Sequence, residues 1–190
     1  MQIILASNNQ HKIQEVKAIL PDFDIISMKD VGIDIDIEET GTTFTENARI
    51  KAGTITKMTG KVAMADDSGL CVEALSGAPG VYSARYSGKG DDENNKLLLE
   101  NMKNETNRKA YFECDIIVTL PNSEELLEIG IWQGNIADKM NGDNGFGYDV
   151  LFLPDEYPDK TSAELEPEQK NKISHRAIAL NKIKERLGKI

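Results

Sequence analysis

From Ala110 to Leu120 the chain reads "AYFECDIIVTL", and Ala110, Phe112, Cys114, Ile116, Val118 and Leu120 fall on every second residue. A strand has that period, because its successive side chains point to opposite faces; a helix of 3.6 residues per turn does not. The stretch "ELLEIGIWQGNI" follows across the turn-forming "PNSE" and is expected to lie beside it in a sheet. Such a pair must bury its apolar face, and the rest of the chain supplies helices that can cover it.

The other patterns fill in a mixed α/β order. "QIILAS" reads as a short buried strand, and after a polar turn Ile13, Val16 and Leu20 recur at helical spacing until Pro21 stops them. "DIISM" and "DIDI" read as short extended pieces. In "TGTTFTENARIKAGTITKMTG", Phe44, Ala48, Ala52 and Ile55 share one helical face, and Gly60 ends the pattern. "KVAMA" then leads as a short apolar run into Asp66 and Asp67. "DDENNKLLLENMKN" is helical, "GYDVLFLP" gives one more strand, and the tail from Pro167 to Leu187 is mostly helical. Because strands and helices do not alternate strictly, the expectation is a twisted mixed sheet flanked by helices, one domain over residues 1–190.

A formal net charge of −10 argues against binding that depends on blanket neutralisation of nucleic acid or of an anionic membrane. Any phosphate must therefore meet a local basic cluster. Cys71 and Cys114 are far apart and the chain has two histidines, so neither a zinc site nor a disulfide framework is suggested. Both cysteines read as small core residues. The apolar stretch at the N-terminus is too short for a signal peptide and no run approaches a membrane span, so a cytoplasmic protein is expected.

Four segments carry polar side chains that ask for a chemical reason. At the end of a strand, Asp66 and Asp67 point to opposite faces, so one can meet solvent while the inward one needs partners. Asp, Ser and Gly also mark ordinary turns, so a metal-binding or general-base carboxylate here requires support from elsewhere. "SNNQHK", Ser7 to Lys12, joins the first strand to the first helix, where free N–H groups and the positive end of the dipole can receive phosphate; a plain polar cap has the same composition. Glu38 and Glu39 precede the helix that contains Lys51. Such glutamates ordinarily dress a helix start, but if they meet Asp67 a cation must join them, and Mg²⁺ suits hard oxygen ligands beside phosphates. "NGDNGFGYD" is a glycine-rich loop with Phe146, Tyr148 and Asp149, and "EQKNKISHRAIAL" gathers Lys170, Lys172, His175 and Arg176, a composition that also fits a solvated helix face.

Taken together, "LASNNQHK", "EETGTTFTENARIKA", "ADDSGLCVEALSGAPGVYSARYSG", "GFGYD" and "SHRAIAL" resemble, in order and over nearly the whole chain, the inosine triphosphate pyrophosphatase family, which acts on non-standard purine nucleoside triphosphates. The resemblance implies that Asp67 is the catalytic carboxylate and that Glu38 and Asp67 hold Mg²⁺, with Glu39 an adjacent possible ligand. It implies that Ser7, Asn8, Asn9, Gln10, His11 and Lys12, with Lys51 and Ser68, hold the phosphates. Phe146 would stack on the base within the loop that continues through Gly147 and Tyr148. Asp149 and Arg176 would read the base edge, and Lys170 and His175 would complete the pocket. The implied protein is an elongated α/β homodimer, with two lobes and a substrate cleft between them, hydrolysing ITP, dITP and XTP to monophosphate and pyrophosphate. Val150 stands where the family often has proline after "FGYD", and "GAPGVYSARYSG" follows the family pattern without an assigned chemical role. Two rivals remain at this level: a pyrimidine-nucleotide pyrophosphatase, which shares the N-terminal strand and turn, and a nucleotide-sensing module without turnover.

Overall fold

In the computed structural model, which describes residues 1–189, hydrogen bonds join six strands into a mixed sheet. They are β1 (Gln2–Leu5), β2 (Asp24–Ser27), β3 (Ala63–Val72), β4 (Lys109–Thr119), β5 (Glu125–Ile136) and β6 (Phe152–Pro154), in the order β2-β1-β3-β4-β5-β6. The helices are α1 (Gln10–Ile19), α2 (Phe44–Thr59), α3 (Asp91–Asn101), α4 (Pro167–Ile173) and α5 (His175–Leu187). The chain divides into two units. The first holds Met1–Asp67, Cys114–Gly130 and the chain from Arg176 onward; the second holds Ser68–Glu113 and Ile131–His175.

In the first unit β1 runs parallel to β2, with Ile3 opposite Ile25, and parallel to β3, with Ile4 opposite Ala63 and Leu5 opposite Met64. Alternation then sorts the side chains onto two faces. Ile3, Leu5, Met64, Ile116 and Val118 pack with Ile13 and Val16 of α1 and with Leu180 and Ile183 of α5. Ile4, Ala6, Ala63, Ala65 and Ile117 pack with Ala48, Ala52 and Ile55 of α2. Parallel strands reach one another through crossovers that place helices on the sheet faces, so the strands here are buried on both sides. The expected alternation along β4 consequently holds only as far as Cys114, and from there to Thr119 every residue is buried.

Local sequence sets the boundaries of α2. Thr43 accepts a bond from the Glu46 N–H at 3.2 Å while the Glu46 carboxylate accepts from the Thr43 N–H at 3.2 Å, a reciprocal cap. Gly60, left-handed at φ 66°, closes the other end by donating to the Thr56 carbonyl at 2.8 Å. The "DIDI" stretch does not form the expected strand. Ile33 is buried against the α2 side while Asp34, Ile35 and Asp36 are exposed, and none of the described strands pairs with it. The expected strand over "GYDVLFLP" shortens to Phe152–Pro154, because Gly147–Val150 winds into a 3₁₀ turn that begins with Gly147 at φ 60°. The helical tail divides at Ser174, whose extended backbone (ψ 159°) separates α4 from α5.

The core of the second unit is aromatic. Phe112 meets Phe152 edge-on at 4.8 Å between ring centroids, Trp132 lies 5.0 Å from Phe152, and the His175 ring stacks on Phe112 at 4.7 Å. The Trp132 indole N–H donates to Glu156 at 3.0 Å, which satisfies the polar edge of a side chain 1% exposed. Among the described residues no helix is long and apolar enough to cross a membrane.

Two glycines of ordinary φ test these packing relations with opposite signs. A Cβ on Gly134, which pairs with Pro154, would lie 2.3 Å from the Leu153 carbonyl oxygen, so Gly134→Ala is expected to destabilise by about 1–3 kcal/mol. A Cβ on Gly53 within α2 meets nothing within 4 Å, so Gly53→Ala is expected to stabilise by about 0.5–1 kcal/mol. Urea denaturation of both variants reads the two signs directly.

Candidate active site

The turn after β1 is shaped by its own side chains. The Ser7 hydroxyl accepts from the Asn9 N–H at 3.2 Å, and the Asn9 side-chain oxygen accepts from His11 N–H at 3.0 Å and Lys12 N–H at 3.3 Å, which caps α1. Asn8, Asn9, Gln10 and His11 are exposed, and no acidic side chain occupies the first turn of α1. The positive end of this helix thus has no carboxylate in its first turn competing with an incoming anion.

The apolar run into the two aspartates continues through them, so they sit inside β3 rather than at its end. Strand alternation sends Asp66 to the face covered by α1 and α5 and Asp67 to the face covered by α2. The expectation that one of them meets solvent is overturned, because helices cover both faces: Asp66 is 3% exposed and Asp67 7%. On the first face, Asp66 Oδ2 is 2.9 Å from Lys12 Nζ and accepts from Arg176 Nη2 at 2.9 Å and Nε at 3.3 Å. Arg176 Nη1 also donates to Glu15. Burial alone would raise the Asp66 pKa, but the charges of Lys12, Arg176 and Lys51 outweigh it and hold the carboxyl well below the ordinary range.

On the opposite face, Asn47 Nδ2 donates to Asp67 Oδ2 at 3.1 Å, and Lys51 Nζ lies 3.4 Å from Asp67 Oδ1 and 2.6 Å from Glu39 Oε1. The Asn47 side-chain oxygen accepts from Gly41 N–H at 2.8 Å, which fixes the direction of its amide. Here burial prevails: assisted by the nearby Glu39 charge, it pushes the Asp67 pKa up against the opposing pull of Lys51, Lys12 and the Asn47 bond. Lys51 shows the converse. Burial draws its pKa down, yet Asp67, Asp66 and Glu39 together raise it, so the ammonium stays protonated. Glu39 is the glutamate brought to Lys51, whereas Glu38 is exposed. Two hard carboxylates, Asp67 and Glu39, therefore share one ammonium, a donor set that fits Mg²⁺, which binds through one or two carboxylates together with substrate phosphates and water. Among the described residues no group of three or more His, Cys, Asp or Glu is placed to form an all-protein metal cage.

In the second unit the glycine-rich loop closes on Asp149. Its Oδ2 accepts from Phe146 N–H at 2.9 Å and from Lys170 Nζ at 2.7 Å, and its Oδ1 accepts from the Ser162 hydroxyl at 2.7 Å. Gly145 is required beside it: φ is 76°, and a Cβ there would lie 2.1 Å from Asp149 Oδ2. Lys170 also sits over the Phe146 ring, 5.0 Å from its centroid. The Tyr148 hydroxyl donates to the Ser83 carbonyl at 2.8 Å, and burial pushes its pKa up. Ser68, next after Asp67 in β3, is partly exposed.

The structure thus brings together Lys12, Asp66 and Arg176, then Glu39, Lys51 and Asp67, and in the second unit Phe146, Asp149 and Lys170. Lys170, His175 and Arg176 are buried rather than on a solvated helix face, and Lys172 alone of the four is exposed. The carboxylate of Asp149 accepts from Ser162, Lys170 and the Phe146 N–H, and the guanidinium of Arg176 is engaged by Asp66 and Glu15. In both cases burial is matched by a charged partner. Glu15, Asn47 and Ser162 were missed by sequence reading. Helical spacing could have found two of them, since Glu15 is three residues from Lys12 and Asn47 four from Lys51.

The depressed Asp66 pKa has a signed consequence for stability. Its contribution is present above the ordinary value of 3.8, in full from about pH 5 upward, and is lost as pH falls through and below that value. In metal-free protein at pH 7, Asp66→Asn is expected to cost about 3–5 kcal/mol, because it leaves Arg176 and Lys12 short of a buried counter-charge. The gap between variant and wild type should narrow as the pH is lowered toward 3. Urea titrations across that range decide it: parallel pH dependence in the two proteins contradicts the account.

The sequence and the fold have counterparts. The profile of the Ham1 family matches residues 3–186. A protein of Clostridium perfringens named dITP/XTP pyrophosphatase is 48% identical, with 98% of this chain and 97% of that protein covered. The solved structure of the Staphylococcus aureus Ham1 protein is 46% identical and superposes with a TM-score of 0.90 over 100% of this chain and 99% of that one. A HAM1 protein from Coxiella burnetii gives a TM-score of 0.91 at 42% identity, with both chains covered in full. Shared sequence, shared fold and near-complete coverage lead to one conclusion: the chain belongs to the Ham1 family.

Proposed function

We propose that the protein is a Mg²⁺-dependent nucleoside triphosphate pyrophosphatase that hydrolyses dITP, XTP and ITP to the nucleoside monophosphate and pyrophosphate, removing non-standard purine nucleotides from the precursor pool. The observation that carries this reading is Asp67, a buried carboxylate with a raised pKa, held between Asn47 and Lys51 beside Glu39. A carboxylate so placed, beside a second carboxylate and an ammonium, can hold a cation and orient a water at the phosphate. The substrate class is supported by the relatives named dITP/XTP pyrophosphatase.

In this reading the capped turn from Ser7 to Lys12, together with Lys51 and Ser68, receives the triphosphate. Asp67 would hold the metal with Glu39 or Glu38, and when bound Mg²⁺ supplies neutralisation of the phosphate charge. Asp67 orients a water and accepts its proton. The water oxygen forms the new P–O bond as the bond from phosphorus to the α–β bridging oxygen breaks, and pyrophosphate departs with the electron pair of that bond. Phe146 stacks on the base, with Lys170 and His175 completing its surroundings. Asp149 serves this role from behind, by fixing the Phe146 N–H and Lys170.

Pyrophosphate release measured across ITP, XTP, dITP, ATP, GTP and UTP, with Mg²⁺ and with excess chelator, tests the proposal. Turnover of the first three, dependent on metal, is expected. Preference for UTP would favour the pyrimidine reading, and tight binding without turnover a sensor. Asp67→Asn keeps the side-chain shape while losing the charge, and is expected to lower kcat by roughly 10²–10⁴-fold, the range of a general base. Near-normal turnover in that variant would place the chemistry elsewhere.

A further inference from the structure

The segment from Gly80 to Arg85 and helix α3 have no role in the reading above, yet both bond to the loop that carries Phe146. Gly147 N–H donates to Asp91 Oδ2 at 3.0 Å, and the Gly147 carbonyl accepts from Asn95 Nδ2 at 2.9 Å. Asn95 is 3% exposed, and its amide nitrogen also donates to the Asp91 carbonyl at 2.9 Å. Since both partners of that nitrogen are carbonyl oxygens, the orientation of the amide is fixed. Tyr148, the next residue, donates to the Ser83 carbonyl, which also accepts from Asn94 Nδ2 at 3.3 Å. The first turn of α3 divides its work: Asp92 and Glu93 pair with Lys96 at 2.7 and 2.8 Å, while Asp91 turns away to Gly147.

We propose that Asp91 and Asn95 are positioning residues for the nucleotide base: by clamping both polar groups of Gly147, they set the direction in which the adjacent Phe146 presents its ring. The inference rests on the reading of Phe146 as the stacking residue. Asp149 holds the Phe146 N–H, and the α3 clamp holds the residue after it, so the backbone on both sides of that side chain is fixed. A stacking ring held in this way loses little freedom when a base arrives, and binding benefits accordingly. The clamp acts on base affinity and leaves the reacting phosphate untouched.

The test is a double-mutant cycle on the intact enzyme with XTP and Mg²⁺. Asp91→Ala and Asn95→Ala are each expected to raise KM about ten-fold, the loss of a hydrogen bond to a positioned group, with kcat within about two-fold of wild type. Asp91→Asn, whose side-chain oxygen still accepts from Gly147 N–H, should restore KM, and Asp92→Ala, on the same helical turn, should leave it unchanged. In a Phe146→Ala background the effects of Asp91→Ala and Asn95→Ala should largely vanish, because the ring through which they act is gone. Unfolding midpoints confirm that each variant is folded at the assay temperature. If Phe146→Ala raises KM but the α3 variants do not, or if their effects persist undiminished without the ring, the clamp is overturned and the stacking reading stands. If Phe146→Ala itself leaves KM unchanged, the stacking reading falls and this inference falls with it.

Discussion

The fold's most demanding interaction is the burial of Asp66 against Arg176 and Lys12. Each of these charges is costly to remove from water, and each is held by the others: Arg176 by Asp66 and Glu15, Lys12 by Asp66. The cluster draws its members from α1, β3 and α5, so the three elements must be in register before all of the charges are satisfied. It also sets the electrostatic setting of the neighbouring Asp67. With Asp66 and its partners confined to one face of β3, Lys51 is left as the cation in contact with Asp67 on the other.

The two aspartates therefore differ by the oldest property of a strand, the alternation of its faces. Burial is common to both, and the count of cations decides the outcome. Asp66 meets two in direct contact and its pKa falls; Asp67 meets one, shares it with Glu39, and its pKa rises. A single local sequence thus places a structural anion and a proposed proton acceptor side by side. In the second unit Asp149 plays a part comparable to that of Asp66. It binds Lys170, Ser162 and a backbone N–H, and in doing so it shapes the loop bearing Phe146.

Much of this was legible in the sequence because it is local. The α2 face of Phe44, Ala48, Ala52 and Ile55, its end at Gly60 and the limits of β5 follow from period and capping. The motif order was sufficient to reach the family. What the sequence did not disclose was layering: whether the outward side of β3 meets water or a helix depends on where α1 and α5 pack, and no pattern within "KVAMADDSG" encodes that. For the same reason the composition of "EQKNKISHR" fits a solvated face as well as a binding segment. Two of its cations, Lys170 and Arg176, are buried because carboxylates distant in sequence, Asp149 and Asp66, wait for them. Irregular segments are the least legible in sequence, since "DIDI" has a strand's composition and among the described strands finds no partner, and the Gly147 turn cuts short the strand expected after it.

The central claim is that Asp67 is held in a setting unfavourable to its own charge because its use lies in chemistry rather than in holding the fold together. Its raised pKa means that the ionised form weakens the folded state, so removing the charge without changing the shape should strengthen it. The direct test is the unfolding free energy of metal-free Asp67→Asn at neutral pH, set against wild type under the same conditions. The account predicts a variant more stable than wild type, whereas a clear loss of stability would show that Asp67, like Asp66, is a structural anion and would contradict the division of labour between them.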